Sequence, residues 1–596
     1  MVRRGPGSWR KRQRALPCDA AVLVSYALIF QSAILITPFI NHPRIGYFSM
    51  EIALAADIPS YSGGLGVLAG DTLRSAADLR LPLVGITLVS RMGYFRQELD
   101  AEGRQTEQPA AWDPARCCEP LEAKIVVKIE GRKVWIGGWL YVVQSHLGGQ
   151  VPVILLDTDL PENDKADREI THSLYGGDQT YRLKQEIVLG IGGVRMLLAL
   201  GLQIRNYHMN EGHSALLAVE LMRRFELFNR RRPHEPSYNL PGVRALCSFT
   251  THTPVEAGHD QFDWPLVREL LEDYVALDEL KKLAGEDRLN LTRLALNLSE
   301  YVNGVARRHA EVSQRMFPGY RVNAVTNGVH PRTWAAKSFA ALYDRHLPGW
   351  CNEPTLLVRV DQIADAELWD AHVAAKAALV ERVRARCRID LDPQLPIVGF
   401  ARRMTAYKRP DLLFSNIERL RAIARRHPFQ LVLAGKAHPR DTAGKRLIED
   451  LHRHIRSLDG VIRAAFVPDY DMTTALDLVA GSDVWLNTPQ RPLEASGTSG
   501  MKASLNGVPQ LSVLDGWWVE GCIEGITGWA IGGDGETENG DDAEHLYHKL
   551  GDVVLPLWYG DRAKWVGVMK GAIGKNASFF NSHRMLRHYA IEAYLR

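Results

Sequence analysis

A glutamate and a lysine eight residues apart, Glu494 and Lys502, bracket the run Ala495-Ser496-Gly497-Thr498-Ser499-Gly500-Met501. A turn rich in glycine and hydroxyls that feeds a helix offers backbone N–H groups and a positive dipole end to an anion. A lysine half-buried just past such a turn can lose its proton by desolvation and form a Schiff base with an aldehyde. The same string also reads as a helix N-cap followed by an exposed lysine. Its neighbours have to decide.

Two segments keep it company. Arg402-Arg403-Met404-Thr405-Ala406-Tyr407-Lys408-Arg409 gathers cations directly after an apolar run and ahead of a helical pattern. Cations at a helix N-terminus are repelled by the dipole, a cost that bound anions offset; a solvated basic turn is the alternative. Ser62-Gly63-Gly64-Leu65-Gly66 either presents amides to a phosphate or makes a tight turn. Asn210-Glu211-Gly212-His213 and Thr251-His252-Thr253 are polar clusters at expected strand ends, equally readable as satisfied structural hydrogen bonds. Gly190-Ile191-Gly192-Gly193 has no strand before it and reads as close helix packing, not as a nucleotide loop.

The elements that must position these residues are legible as alternating apolar runs. Arg44–Glu51, Leu83–Ser90, Val151–Asp157 and Asn206–Asn210 have strand character, with a helix opening at Tyr181. A second series begins at Leu395–Ala401 and continues through Phe429–Gly435, Val461–Val467 and Val484–Asn487. Between them, from Trp334 to Arg386, the chain is helical and charged. Alternation of this kind predicts an α/β fold of two Rossmann-like, doubly wound domains facing a central cleft, with the glycine loops at the strands' carboxyl ends. The expected divisions are an extension over 1–43, a first domain over 44–340, a second over 341–580, and a final helix over 581–596 that packs back on the first domain.

Composition excludes several classes. At 596 residues the chain exceeds one core, and 46% hydrophobic with 24% charged residues is ordinary for a water-exposed globular protein. A net charge of +3 gives nucleic-acid binding no support. Seven scattered cysteines without C-x-x-C argue against a disulfide framework and a zinc site and fit a reducing cytoplasm, so no metal is expected. The basic residues Arg3 to Arg14 precede an uncharged stretch, Ala20–Ile40. Ser25, Gln31, Ser32, Thr37 and Pro38 weaken it as a spanning helix, and a soluble leader, or a start codon placed too far upstream, is expected in place of a membrane anchor.

Ser62–Gly66, Arg402–Arg409 and Glu494–Lys502, in this order and company, resemble the motifs of the α-glucan (glycogen, starch, maltodextrin) phosphorylases, with this chain similar to a short form. The resemblance runs from about Arg44 to at least Asp515. It implies the GT-B architecture and phosphorolysis of an α-1,4-glucan from its non-reducing end, releasing α-glucose 1-phosphate with retention. It implies pyridoxal 5'-phosphate on Lys502, near Arg402, Tyr470, Thr498, Ser499 and Trp334, with inorganic phosphate held by Arg403 and Lys408. It further implies that Tyr407, Gly63 and Gly64 line the site, that Glu494, Ser496 and Gly497 bind the glucose 3- and 4-hydroxyls, and that Asn327 binds the 6-hydroxyl. A homodimer is a further expectation from it.

The chain departs from the family at four places. Ser62 stands for an asparagine, Glu211 for an aspartate, Asp471 for an arginine at the cofactor phosphate, and Glu300 or Tyr301 for a histidine near the 6-hydroxyl. The rival readings are a nucleotide-sugar glucan synthase of the same fold and a non-catalytic glucan-binding homologue. Retaining synthases often carry Glu-x7-Glu, and here the second acid is Lys502; a non-catalytic homologue would be expected to have lost the lysine or the cations. A glycosidase would need two carboxylates at a defined separation, and no motif pairs Glu51 with Glu211.

Overall fold

The computed structural model describes residues 37–40, 42–226, 238–255, 258–272, 274–533 and 541–595. Two sheets organise them. The first has nine strands, in chain order β1 (Ile45–Phe48), β2 (Leu83–Leu88), β3 (Glu119–Ile129), β4 (Arg132–Gln144), β5 (Gln150–Asp157), β6 (Asn206–Asn210), β7 (Cys247–Thr250), β8 (Tyr301–Gly304) and β9 (Asn323–Ala324). Their spatial order is β9-β8-β7-β6-β1-β2-β5-β4-β3. From β9 to β5 all pairs are parallel. Strands buried on both faces read as continuous apolar runs, as β1, β2 and β5 do.

The edge departs from the purely parallel expectation. Strands β3 and β4 form an antiparallel hairpin around Gly131 and pair β4 against β5. On β3 buried Leu121, Val127 and Ile129 are separated by exposed Glu122, Lys124 and Lys128, the signature of a sheet with one face in water.

The second sheet is entirely parallel. Its strands are β10 (Ile397–Ala401), β11 (Gln430–Ala434), β12 (Ala464–Val467), β13 (Val484–Asn487), β14 (Gln510–Val513) and β15 (Gly528–Ile531), in the order β12-β11-β10-β13-β14-β15. That is the doubly wound 3-2-1-4-5-6 order, whose reversal between the first and fourth strands opens a crevice at their carboxyl ends. The loops after β10 and β13, which start at Arg402 and Thr488, leave from that crevice. In the first sheet the order likewise reverses at β1, and the loops after β1 and β6 carry Glu51 and Glu211.

The helices that matter for the site are α1 (Gly64–Asp78), α2 (Asp365–Cys387), α3 (Met472–Gly481), α4 (Ser499–Leu505) and α5 (Ser582–Tyr589). On α2, Leu368, Ala371, Ala375, Leu379 and Val383 are buried at helical spacing, and a Cβ on Gly481 of α3 would come within 2.6 Å of Leu379. Helix α5 packs on the first sheet: Met585, Leu586 and Tyr589 share a core with Ile45, Tyr47 and Leu73. The Tyr589 hydroxyl meets Thr250 and Asn303.

A buried polar knot ties α5 to α1. Asp78 Oδ2 accepts from Nε2 of His330 at 2.8 Å and of His583 at 3.1 Å, and Oδ1 accepts from Ser145 Oγ. Burial works against the Asp78 charge, and the two imidazoles reverse this and hold its pKa far below the usual carboxylate range. Asp78→Ala strands two buried imidazole donors and a half-buried hydroxyl, so urea titration should show a loss of about 3 kcal/mol. Amide exchange should accelerate first across α5.

Among the described residues no helix is long and apolar enough to cross a membrane. The uncharged stretch from Ala20 lies outside the described residues up to position 36. No disulfide joins the described cysteines, and no group of three or more acidic, histidine or cysteine side chains among the described residues is disposed to hold a metal.

Candidate active site

Glycine 66, in the first turn of α1, is where the first wall of the site is made. A Cβ there would lie 2.6 Å from Glu51 Oε2 and 2.8 Å from Tyr61 Cβ, so only glycine lets the loop after β1 fold onto the helix start. Glu51, 1% exposed, is consumed in holding that loop. It accepts from the Ser62 amide, the Ser62 hydroxyl, the Gly63 amide at 3.2 Å and the Tyr175 hydroxyl at 3.0 Å. The Gly63 N–H therefore points at Glu51. What Gly63 offers the cleft is its missing side chain, because a Cβ would sit 3.2 Å from Arg403 Nη2; around Gly64 there is open space. Gly63→Ala should push the Arg403 guanidinium aside and raise the KM for an anionic substrate about tenfold, with an unchanged thermal midpoint.

The second wall comes from the loops after β10 and β13. The basic segment does not sit at a helix N-terminus as its sequence suggests. A 3-10 turn (Ala406–Lys408) and another (Leu412–Phe414) intervene, and the next α-helix starts only at Ile417. The cations are instead balanced by a carboxylate. Glu494, 5% exposed, accepts from Arg402 Nη2 at 2.6 Å and from Lys408 Nζ at 2.7 Å. Burial alone would raise its pKa, and the two cations reverse that and bring it to about 2. Lys408 Nζ also lies 4.5 Å from the Tyr407 ring centroid.

Arg403 is exposed to the cleft yet walled by Tyr94, Tyr175, Tyr407 and Glu51. Next to it, Tyr94, Tyr175, Gly177, Glu107, His438 and Arg440 line a cavity of about 330 Å³ between the two sheets' loops.

The Glu494 loop is pinned from beneath. Asp515 accepts from the Glu494 amide at 2.8 Å and the Gly516 amide at 2.9 Å, and the Trp517 amide donates to Ser496 carbonyl oxygen. Gly497 turns the chain at φ +83°, beside the Glu494 side chain. Thr498 then precedes α4, and Ser499 Oγ accepts from Trp485 Nε1. Lys502, on the fourth residue of α4 and 7% exposed, stands 3.9 Å above the centroid of the Trp334 ring. Desolvation pulls its pKa down to about 8, against the opposing pull of Asp71.

Several buried polar atoms here have no partner within the protein: Arg402 Nε and Nη1, Ser496 Oγ and Asn327 Oδ1. Since buried polar groups are normally satisfied, such a set marks where a polar ligand belongs. Asn327 and Trp334 lie on one loop, whose Thr326 and Asn327 carbonyls accept from Arg584 of α5. Tyr470 is half-buried close to Arg402 and Tyr61. Asp471, which stands where a cation was expected, caps α3 by accepting from the Thr474 amide at 2.7 Å.

Glu300 is exposed at the start of β8, while Tyr301 is buried within it. Glu211 adopts φ +75° and accepts from the His252 amide and the Thr253 hydroxyl. Glu51 and Glu211 are thus both engaged in holding backbone. Sequence reasoning missed Asp71, Tyr175 and Asp515. Asp71 is a lone acid inside an apolar helix pattern, and the other two lie in loops without a motif.

Known proteins can now be set beside this geometry. A family profile described as carbohydrate phosphorylase matches residues 272–525. The chain is 38% identical to the maltodextrin phosphorylase of Thermococcus litoralis, over 93% of this chain and 71% of that protein. It is 37% identical to the glycogen phosphorylase of Aquifex aeolicus, covering 92% of this chain and 86% of the relative. The glycogen phosphorylase of Mycobacterium tuberculosis is also 37% identical, over 92% of this chain and 70% of its own length. Identity of that level across nearly the whole chain means that the chain belongs to the carbohydrate phosphorylase family of glycosyl-transferring enzymes.

Proposed function

We propose that this chain cleaves α-1,4-glucans from the non-reducing end with inorganic phosphate, releasing α-D-glucose 1-phosphate with retention, on a two-domain GT-B frame divided near residue 340. The observation that carries the reading is Lys502. It is a buried amine with a pKa near 8 against an indole face, on the segment whose other end, Glu494, binds Arg402 and Lys408.

The residues present fit pyridoxal phosphate. A lysine whose pKa is pulled down to about 8 loses its proton more readily and can tether an aldehyde, Trp334 gives a flat wall, and the unpartnered Arg402 nitrogens suit a phosphate. Arg402, Tyr470 and the amides of Thr498 and Ser499 would hold that group. When bound it supplies a phosphate that exchanges protons with a neighbouring phosphate, as general acid and then base.

The chain's own residues do the rest. Arg403 and Lys408 bind and orient the substrate phosphate, and Tyr407 borders it. Arg403, exposed to the cleft at the Gly63 loop, is open to an entering anion. Two anions held in near contact need dense positive charge, and the Arg402–Arg403–Lys408 set supplies it. Glu494, Ser496 and Gly497 face the glucose 3- and 4-hydroxyls, and Asn327 offers its unpartnered oxygen to the 6-hydroxyl. The aromatic-lined cavity beside Arg403 suits the remainder of the glucan chain.

The test is donor choice in the synthetic direction. Glucosyl transfer onto maltooligosaccharides should proceed from glucose 1-phosphate and not from a nucleoside diphosphate glucose. Transfer from the nucleotide sugar alone would replace this reading with the synthase.

A further inference from the structure

We propose that Asp71 is a positioning residue for Lys502, fixing the Trp334 indole against the amine and placing a carboxylate where it balances the amine's charge. This rests on the reading of Lys502 given above.

Asp71 sits two turns into α1, whose start carries the Gly63 loop, and is 1% exposed. Burying a carboxylate among apolar side chains is costly unless it is paired. Here both of its oxygens accept the same indole N–H, Trp334 Nε1, at 3.0 Å and 2.8 Å. The other face of the problem is Lys502, whose Nζ lies within cation–π range of that ring. An indole N–H that donates to an anion pushes electron density into its ring, so the carboxylate strengthens the hold of the ring on a cation.

Three separate parts of the chain meet in this relay. Asp71 comes from the first sheet's helix, Trp334 from the turn Pro331–Trp334, and Lys502 from α4 beside the second sheet. The charged group facing Lys502 from outside α4 is Asp71, and within α4 Lys502 is the one charged residue. Arg74 lies behind Asp71, with Nη1 at 3.6 Å from Oδ1. An Asp71 that merely satisfied the indole would hold the fold together. It would leave the proton affinity of Lys502 unmoved.

The experiment uses the full-length chain freed of any bound aldehyde. Lys502 is methylated with formaldehyde and cyanoborohydride at a series of pH values, and its extent is read by peptide mass. Wild type should show a midpoint at about pH 8, and Asp71→Asn should lower it by about one pH unit, because the protonated amine loses its anionic neighbour. Arg74→Gln should move it the opposite way, since the Asp71 charge is then less compensated. If Asp71→Asn does not fold, the Arg74→Gln arm decides alone. An unchanged midpoint in a folded Asp71→Asn, or an Arg74→Gln midpoint that stays put or falls, overturns the proposal. Capture of pyridoxal phosphate by wild type, trapped with borohydride, is scored separately. Failure there with the methylation shifts intact removes the cofactor reading and leaves Asp71 as the residue that tunes Lys502.

Discussion

Replacing Lys502 by alanine is expected to remove the pyridoxal absorbance band and to lower turnover by about 10²–10⁴-fold or more, with the fold intact. Lys502 is buried on α4 and makes no salt bridge among the described residues; its surroundings are the Trp334 face and, behind it, Asp71. Removing an amine whose charged form is already disfavoured by burial costs little stability, and the loss of its stem's packing adds only about 1–2 kcal/mol. Activity and stability should therefore separate cleanly. A Lys502→Ala protein that keeps both the band and the activity would assign the cofactor to another lysine.

Glu494→Ala should have the largest effect on stability. The substitution leaves Arg402 and Lys408 buried against each other without their carboxylate, a loss of roughly 3–5 kcal/mol for a broken buried ion pair. The pH dependence has a definite sign. The folded-state pKa of Glu494 is depressed to about 2, so its contribution is fully present above the ordinary carboxylate pKa and disappears as pH falls through about 2. Urea midpoints of wild type and variant should differ most near neutrality and converge in acid. Added orthophosphate should restore part of the variant's stability, since the anion meets the same two cations. A variant as stable as wild type at neutral pH would show that the ion triad does not form.

Much of the frame is legible in the sequence for a physical reason. Strands of a parallel sheet are buried on both faces, so β1, β2, β5 and β10 to β13 stand out as short apolar runs ending in glycine or polar loops. The hairpin β3–β4 does not, because one face is wet and its charged residues break the run. At the site, Lys502, Arg402, Lys408 and Glu494 are visible as residue types close together in sequence.

Their pairing is not visible. Glu494 meets Arg402 and Lys408 across intervals of 92 and 86 residues, and only the fold brings these together. The basic segment resembled a repelled helix start; the true compensation is a distant acid. Asp471 reads from sequence as a lost cation, yet geometrically it is a helix cap. Asp71 carries no motif at all, and its role exists only because α1 crosses the Trp334 turn.

Phosphorolysis is read from the product formed from a glucan. Wild-type protein incubated with maltoheptaose and orthophosphate, followed by phosphorus NMR, should yield α-D-glucose 1-phosphate, with no turnover of the glucan when phosphate is omitted. Free glucose released without phosphate, or a β-configured phosphate ester, would contradict it.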